Sequence, residues 1–317
     1  MSTPTLHDLQ ASVQDRNAFK KIEDYFLIGQ EFLKLLTVEK PTRIVSPSTP
    51  TYIFYQYSGD HGNRISRPLN TALFVENGAV LGKQCDAFLC MLDRIAKQKR
   101  SMFGDDRYKK CAKENIINKV VYTLQQSIGC IGDSFENQNQ SRKRIGQLFE
   151  NLVTLIIRSL GLECQPRTVN LPIPGFPGYE MSYELDLVFS LNKAILTSET
   201  KYIHPSEIVG SVKTTSKDRI DKIFLDKHLL GKLLGRNVPV IAIFLHDVQR
   251  AKKGTSIFGI NSTFKSNHFL GYTVALNQLD GVYYVDPRPE MTASARLKAQ
   301  IADFERFVVH DLWNLAK

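Results

Sequence analysis

Leu6, Leu9, Val13, Phe19, Ile22, Phe26, Phe32 and Leu36 recur at steps of roughly three and four residues. That is the period of a helix with one apolar side, and it predicts a helix over residues 5–37. Prolines at 41, 47, 50 and 68 break the pattern across 41–70. Between them, Tyr52-Ile-Phe-Tyr-Gln-Tyr57 reads as an aromatic strand and Ser58-Gly-Asp-His-Gly-Asn63 as a polar turn. Residues 72–130 read as mainly helical and carry a basic segment, Lys97-Gln-Lys-Arg100. A Ser/Asn/Gln-rich stretch at 134–141 reads as a linker.

Beyond the linker the pattern sharpens. Ile145, Leu148, Phe149, Leu152, Leu155, Ile156 and Leu160 line one side of an amphipathic helix over 142–160, which Gly161 ends. Strands follow at about 183–189, 193–200 and 207–213, then a helix over about 216–234 that stops at Gly235. Val238-Pro-Val-Ile-Ala-Ile-Phe-Leu245 is nearly all apolar, as in a strand covered on both faces. A further strand is expected at 281–285 and a terminal helix at about 290–315. The sum is an α/β chain, a sheet flanked by helices. A mainly helical N-terminal region, 1–135, precedes a core at 136–317.

Charge narrows the partners. Lys and Arg outnumber Asp and Glu by 41 to 32, a formal +9 with a pI near 9.2. Such an excess favours polyanions, because neutralising phosphates releases condensed counterions. Cys85, Cys90, Cys111, Cys130 and Cys164 are odd in number and contain no C-x-x-C pair, which argues against a zinc knuckle or a disulfide framework. The start, MSTPTLHDLQASVQD, lacks a signal peptide's apolar core, and no window reaches the length of a membrane span. The expectation is a cytoplasmic protein with no membrane partner.

Candidate chemistry lies between Glu150 and Asp226. In Tyr183-Glu-Leu-Asp-Leu-Val-Phe189, strand alternation puts Glu184 and Asp186 on one face and Leu185 and Leu187 on the other. A carboxylate held on a rigid strand suits a hard, oxygen-seeking cation such as Mg²⁺. Two lysine-centred elements follow. One is Ser198-Glu-Thr-Lys201, whose Glu199 comes thirteen residues after Asp186. The other is Ser211-Val-Lys-Thr-Thr-Ser-Lys-Asp-Arg219, with Asp226 thirteen residues beyond Lys213. Either set joins metal-binding carboxylates to an ammonium near water and phosphate.

The second element resembles type II restriction endonucleases of the PD-(D/E)xK class that read CC/GG-containing sites. In that group S-x-K replaces E-x-K, and the missing acid has moved to the following helix. Ser211-Val-Lys213 fits S-x-K, Asp226 falls at the relocated acid, and Gly146-Gln-Leu-Phe-Glu150 resembles the group's upstream G-x-x-F-E motif. The resemblance covers about residues 142–250. It departs from the group in having Asp rather than Glu at 226 and Leu185 before Asp186.

The resemblance implies a PD-(D/E)xK core with a mixed sheet, and cleavage of double-stranded DNA at a short palindromic or near-palindromic site. Asp186, Asp226 and Glu150 would hold Mg²⁺, Lys213 would complete the catalytic set, and the products would carry 5′-phosphates. Lys217-Asp218-Arg219 would read guanine and cytosine edges in the major groove. Two-fold symmetry of the site implies a homodimer, with higher oligomers open. Glu199 and Lys201 are the alternative catalytic pair. In the N-terminal region, which would contact DNA or mediate dimerisation, Tyr52 to Tyr57, Arg64 and Arg67 are either base contacts or an ordinary hairpin and loop. A junction resolvase or repair nuclease would not need the 217–219 triplet, and a non-catalytic DNA-binding module would not need the acids and lysines.

Overall fold

The computed structural model describes residues 4–191, 202–251 and 257–316. The chain divides into two compact units. The first comprises Met1–Met91, Cys111–Leu152 and Asp247–Thr263; the second comprises Leu92–Lys110, Val153–His246 and Phe264–Lys317. No helix among the described residues is long and apolar enough to cross a membrane.

The first unit is built around a helix. The predicted 5–37 helix is two helices, α1 (Leu6–Gln14) and α2 (Ile22–Glu39). The chain turns between them at Phe19, which is buried with φ +60° and stacks 4.8 Å from Tyr25. Asp24 fixes the restart by accepting the backbone N–H groups of Lys20 and Lys21. Strands β1 (Thr42–Val45), β2 (Tyr52–Gln56) and β3 (Leu69–Asn70) form an antiparallel sheet. Helices α3 (Gly78–Gln98), α4 (Asp106–Glu114), α5 (Ile116–Asp133) and α6 (Gln138–Ser159) follow in the chain; α5 lies wholly in this unit, whereas residues 92–110 and the end of α6 from Val153 belong to the second. In α5 every residue from Ile116 to Gly132 except Lys119 is buried, so this helix is the unit's centre. The 134–141 stretch is shorter as a linker than its composition predicts. Helix α6 begins at Gln138, and buried Ser141 donates to the Gly132 carbonyl at 2.6 Å.

The second unit holds a six-stranded mixed sheet. Its strands are β4 (Glu163–Pro172), β5 (Glu180–Ser190), β6 (Ile208–Thr215), β7 (Val240–His246), β10 (Gly281–Tyr284) and β11 (Ile301–Asp303), in the order β11-β10-β7-β6-β5-β4. The short pair β8 (Val248–Arg250) and β9 (Ile260–Ser262) belongs to the first unit. β5 runs antiparallel to both β4 and β6, whereas β6, β7, β10 and β11 are parallel. As its apolar run predicts, β7 is buried along its whole length. On one face, helices α7 (Ile220–Leu234) and α8 (Ser266–Ala275) supply Ile223, Phe224, Leu230 and Phe269 to a cluster with Val240, Ala242 and Phe244. On the other face, Phe307 packs its ring against Phe189 and Tyr283.

The C-terminal expectation is corrected. In place of one helix over 290–315 come two single helical turns, then strand β11, then a helical segment over 304–315 whose middle, Phe307–Asp311, is a π-turn. Ladder bonds from β10 to Ile301, Ala302 and Asp303 take the chain out of helix there. Strand β4 has no counterpart among the expected elements: Pro166, Pro172 and its mixed polar residues hide it, and as an edge strand it tolerates both prolines. The expected strand at 193–200 lies outside the described residues.

Candidate active site

The parting of β5 and β6 makes the site. Their ladder covers Leu187↔Gly210, Val188↔Val209 and Phe189↔Ile208. Toward the start of β5, that strand pairs with β4 alone, up to Pro172↔Glu180. Asp186 stands where the ladder to β6 stops. Its Oδ2 accepts from Val212 N at 2.9 Å, from Ser211 Oγ at 3.1 Å and from Lys213 Nζ at 2.5 Å. The donors converge on that one oxygen, and no donor among the described residues is placed on Oδ1.

A register shift lies beside it. From Arg167↔Leu185 to Gln165↔Val188, β5 advances three residues while β4 advances two. The extra residue in β5 is a bulge at Asp186 and Leu187, opposite Pro166, which has no N–H to offer. Bulges of this kind re-aim side chains, often beside active sites. The even alternation expected for this strand is therefore broken: Tyr183, Leu185 and Val188 share one apolar cluster, spaced by two and then three residues. Glu184 is exposed, and Asp186 is half-buried.

Lys213 lies on β6, opposite Phe244 of β7, with 30% of its side chain exposed against 17% for Asp186. Asp226 lies on α7, half-buried. Burial lifts its carboxyl above the ordinary carboxylate value; the Lys222 ammonium opposes that, Asp186 adds to it and Lys213 lowers it. Asp226 is thus within electrostatic reach of both Asp186 and Lys213. Helix α7 is pinned one residue further on, where buried Lys227 donates to the Gln278 carbonyl at 2.5 Å and to Asp280 at 2.6 Å. Tyr183 is a neighbour that the motif did not mark. Burial raises its phenol and the Asp226 charge raises it further. Its signal was present, an aromatic three residues before Asp186, yet indistinguishable from core.

The 217–219 segment connects β6 to α7. Lys217, Asp218 and Arg219 are all exposed. Asp218 takes φ +52°, a left-handed conformation that Asp tolerates better than most residues. Helix α7 starts four residues later than expected, with Arg219 at its N-cap position, so Arg219 precedes the first helical turn. Ser216 closes the turn: its buried N–H reaches the His246 carbonyl at 3.3 Å, and its own carbonyl accepts from Arg219 at 3.2 Å.

Glu150 is half-buried on α6 and belongs to the first unit, whereas Asp186, Lys213 and Asp226 belong to the second. Glu199 and Lys201 lie outside the described residues. The N-terminal candidates resolve toward structure. Tyr52, Tyr55 and Tyr57 are buried, and Tyr57 donates to the Cys130 carbonyl at 3.0 Å. Arg67 forks onto Asp133 at 3.0 and 2.9 Å, and the Arg64 guanidinium is spent on the carbonyls of Ser134 and Phe135. These groups hold the fold and leave little for bases.

Among the described residues, no three of His, Cys, Asp and Glu gather as a metal-holding group. The residues present nonetheless fit Mg²⁺. That ion keeps several waters and needs only one or two carboxylates besides substrate phosphate. Two coupled carboxylates, one of them disfavoured in its charged form by burial and by the other, supply the donor chemistry such an ion relieves.

No protein-family model matches the chain, and no curated protein matches it by sequence. Two solved structures resemble it. The type IIP restriction endonuclease Kpn2I superposes with a TM-score of 0.66 at 16% identity, covering 98% of this chain and 96% of that one. The restriction endonuclease PspGI in complex with substrate DNA gives a TM-score of 0.42 at 12% identity over 62% of this chain and 80% of that one. The likeness to Kpn2I establishes the restriction-endonuclease fold: a mixed six-stranded sheet flanked by helices.

Proposed function

We propose that the chain is a Mg²⁺-dependent type II restriction endonuclease that hydrolyses double-stranded DNA at a short palindromic or near-palindromic site containing CC/GG. The observation that carries this reading is the convergence at the β5–β6 fork: Lys213 on Asp186 at 2.5 Å, with Asp226 coupled to both. Support also comes from the fold, shared over nearly the whole chain with a protein of that class.

In this reading Asp186 and Asp226 hold the ion. The chemistry Mg²⁺ supplies when bound is Lewis-acid charge neutralisation and acidification of water. Lys213 orients the attacking water and donates to the phosphate as negative charge builds there. The bulge at Asp186 and the pinned helix α7 keep both carboxylates fixed, so little reorganisation is needed as the bond breaks. The cut leaves 5′-phosphate and 3′-hydroxyl ends. Lys217 and Arg219 donate to guanine O6 and N7, while Asp218 accepts from cytosine N4. Glu150 is carried into the reading by its sequence motif alone.

Incubating plasmid DNA with the protein and Mg²⁺ tests the proposal. Discrete fragments whose sequenced ends share a CC/GG-containing site are expected. Nicking that follows DNA structure instead of sequence, or no cleavage, would reject it.

A further inference from the structure

Charge is unevenly spread along the chain. Between residues 94 and 110 stand seven basic side chains against two acidic ones, Asp105 and Asp106. Those seventeen residues carry five of the nine net positive charges. Six of the basic residues, Lys97, Lys99, Arg100, Arg107, Lys109 and Lys110, are exposed. Lys97 and Lys109 have nearby acids, Asp93 at 2.7 Å and Asp106 at 3.0 Å, in exposed pairs that neutralise little. Lys99, Arg100, Arg107 and Lys110 have no ion pair among the described residues.

The stretch is anchored to its own unit. Met102 is buried, and its N–H donates to the Val309 carbonyl at 3.0 Å. Ser101 Oγ bonds His310 Nδ1 at 2.5 Å, and the Phe103 ring lies 4.9 Å from that imidazole. The anchoring side chains face the C-terminal helical segment while the charges face out, so the positive residues share a fixed platform. No residue of α4 is buried, and its nonpolar side chains are Tyr108, Cys111 and Ala112, without the Trp, Phe or Leu that seat a basic helix in a membrane. Like charges so gathered repel one another unless a polyanion lies opposite.

We infer that the 94–110 stretch is a sequence-independent phosphate-contacting surface for duplex DNA, separate in role from the 217–219 segment. The inference takes duplex DNA as the partner from the function proposed above. Such a surface lifts affinity for all DNA alike and lets the protein find its site by sliding.

The test is affinity against salt concentration, on a CC/GG-containing duplex and on a scrambled one. It compares the wild type with a fourfold variant: Lys99→Gln, Arg100→Gln, Arg107→Gln and Lys110→Gln. If all four contact phosphates, the slope of log K against log salt should flatten by about 3–4 on both duplexes, at roughly 0.9 per phosphate. Preference for the cognate duplex, and the single-turnover cleavage rate on a saturating short cognate duplex, should stay at wild-type values. Two double variants, at 99/100 and at 107/110, should each flatten the slope by about half as much, which guards against misfolding of the fourfold protein. Unchanged slopes would overturn the inference, as would a loss confined to the cognate duplex. Reduced binding to anionic phospholipid vesicles with unaltered DNA slopes would overturn it in favour of a membrane surface. A protein whose slopes flatten as described but that never cleaves DNA would sink the nuclease reading and leave this inference standing.

Discussion

The Asp186 carboxylate accepts the backbone N–H of Val212 at 2.9 Å, just where strands β5 and β6 cease to pair. A side chain thus replaces the carbonyl that a continued ladder would have provided. The strands can then diverge without orphaning a partly buried donor, whose desolvation would be costly. The same oxygen receives the Lys213 ammonium. One carboxylate therefore ends the sheet pairing and organises the charged site.

That double role separates two substitutions. Asp186→Asn keeps an oxygen for Val212 but loses the charge that holds Lys213, so it should abolish cleavage with little change in melting. Asp186→Ala should lose cleavage and also about 1–3 kcal/mol of stability, the cost of an unsatisfied donor. Denaturant melts beside cleavage assays check this; equal stability for the two variants would remove the structural half of the role.

Burial and the Asp186 charge disfavour the ionised form of Asp226. Without metal the Asp226 charge destabilises the fold, and Asp226→Asn removes it. The variant should melt at or above the wild-type temperature in EDTA while cleavage falls by about 10²-fold or more, the scale of losing one group that stabilises developing charge. A lower melting temperature with cleavage retained would assign Asp226 a purely structural place.

Arg219 stands exposed at the N-cap position of α7, with no side-chain bond to the helix end. As a base-reading residue, its loss in Arg219→Ala should cost about 1–3 kcal/mol per half-site on cognate DNA. Binding to a scrambled duplex should change little. Parallel loss on both duplexes at two salt concentrations would make it a backbone contact and weaken the CC/GG assignment.

A palindromic site read by identical contacts requires two-fold protein symmetry. Light scattering on the protein bound to cognate duplex should give twice the 36.0 kDa chain mass plus DNA. A single chain per duplex would contradict the dimer.

Much of the chain from residue 138 onward is legible in the sequence alone. The fully apolar β7, the S-x-K strand β6, and the α7 and α6 helices with their closing glycines, Gly235 and Gly161, declare themselves through local pattern. What escaped depends on distant partners. Apolar spacing runs unbroken through Phe19, so one period serves two helices. Strand β11 exists because β10 pairs with it, and β4 because β5 does. The bulge at Asp186 is a mismatch between two strands and has no signature in either alone. Arg64 and Arg67 depend on distant partners too: their composition fits a DNA contact as readily as the carbonyl bonds and internal ion pair they make.

Which lysine is catalytic decides where the active site lies. Wild type, Lys213→Ala and Lys201→Ala should be compared on one CC/GG-containing duplex with Mg²⁺, by cleavage and by gel shift. Lys213→Ala should lose about 10²–10³-fold in cleavage rate, the range for removing one charge-stabilising donor, while still shifting the duplex, and Lys201→Ala should keep most activity. Cleavage that survives in Lys213→Ala and disappears in Lys201→Ala would contradict the choice of Lys213 and move the site to the Glu199–Lys201 element.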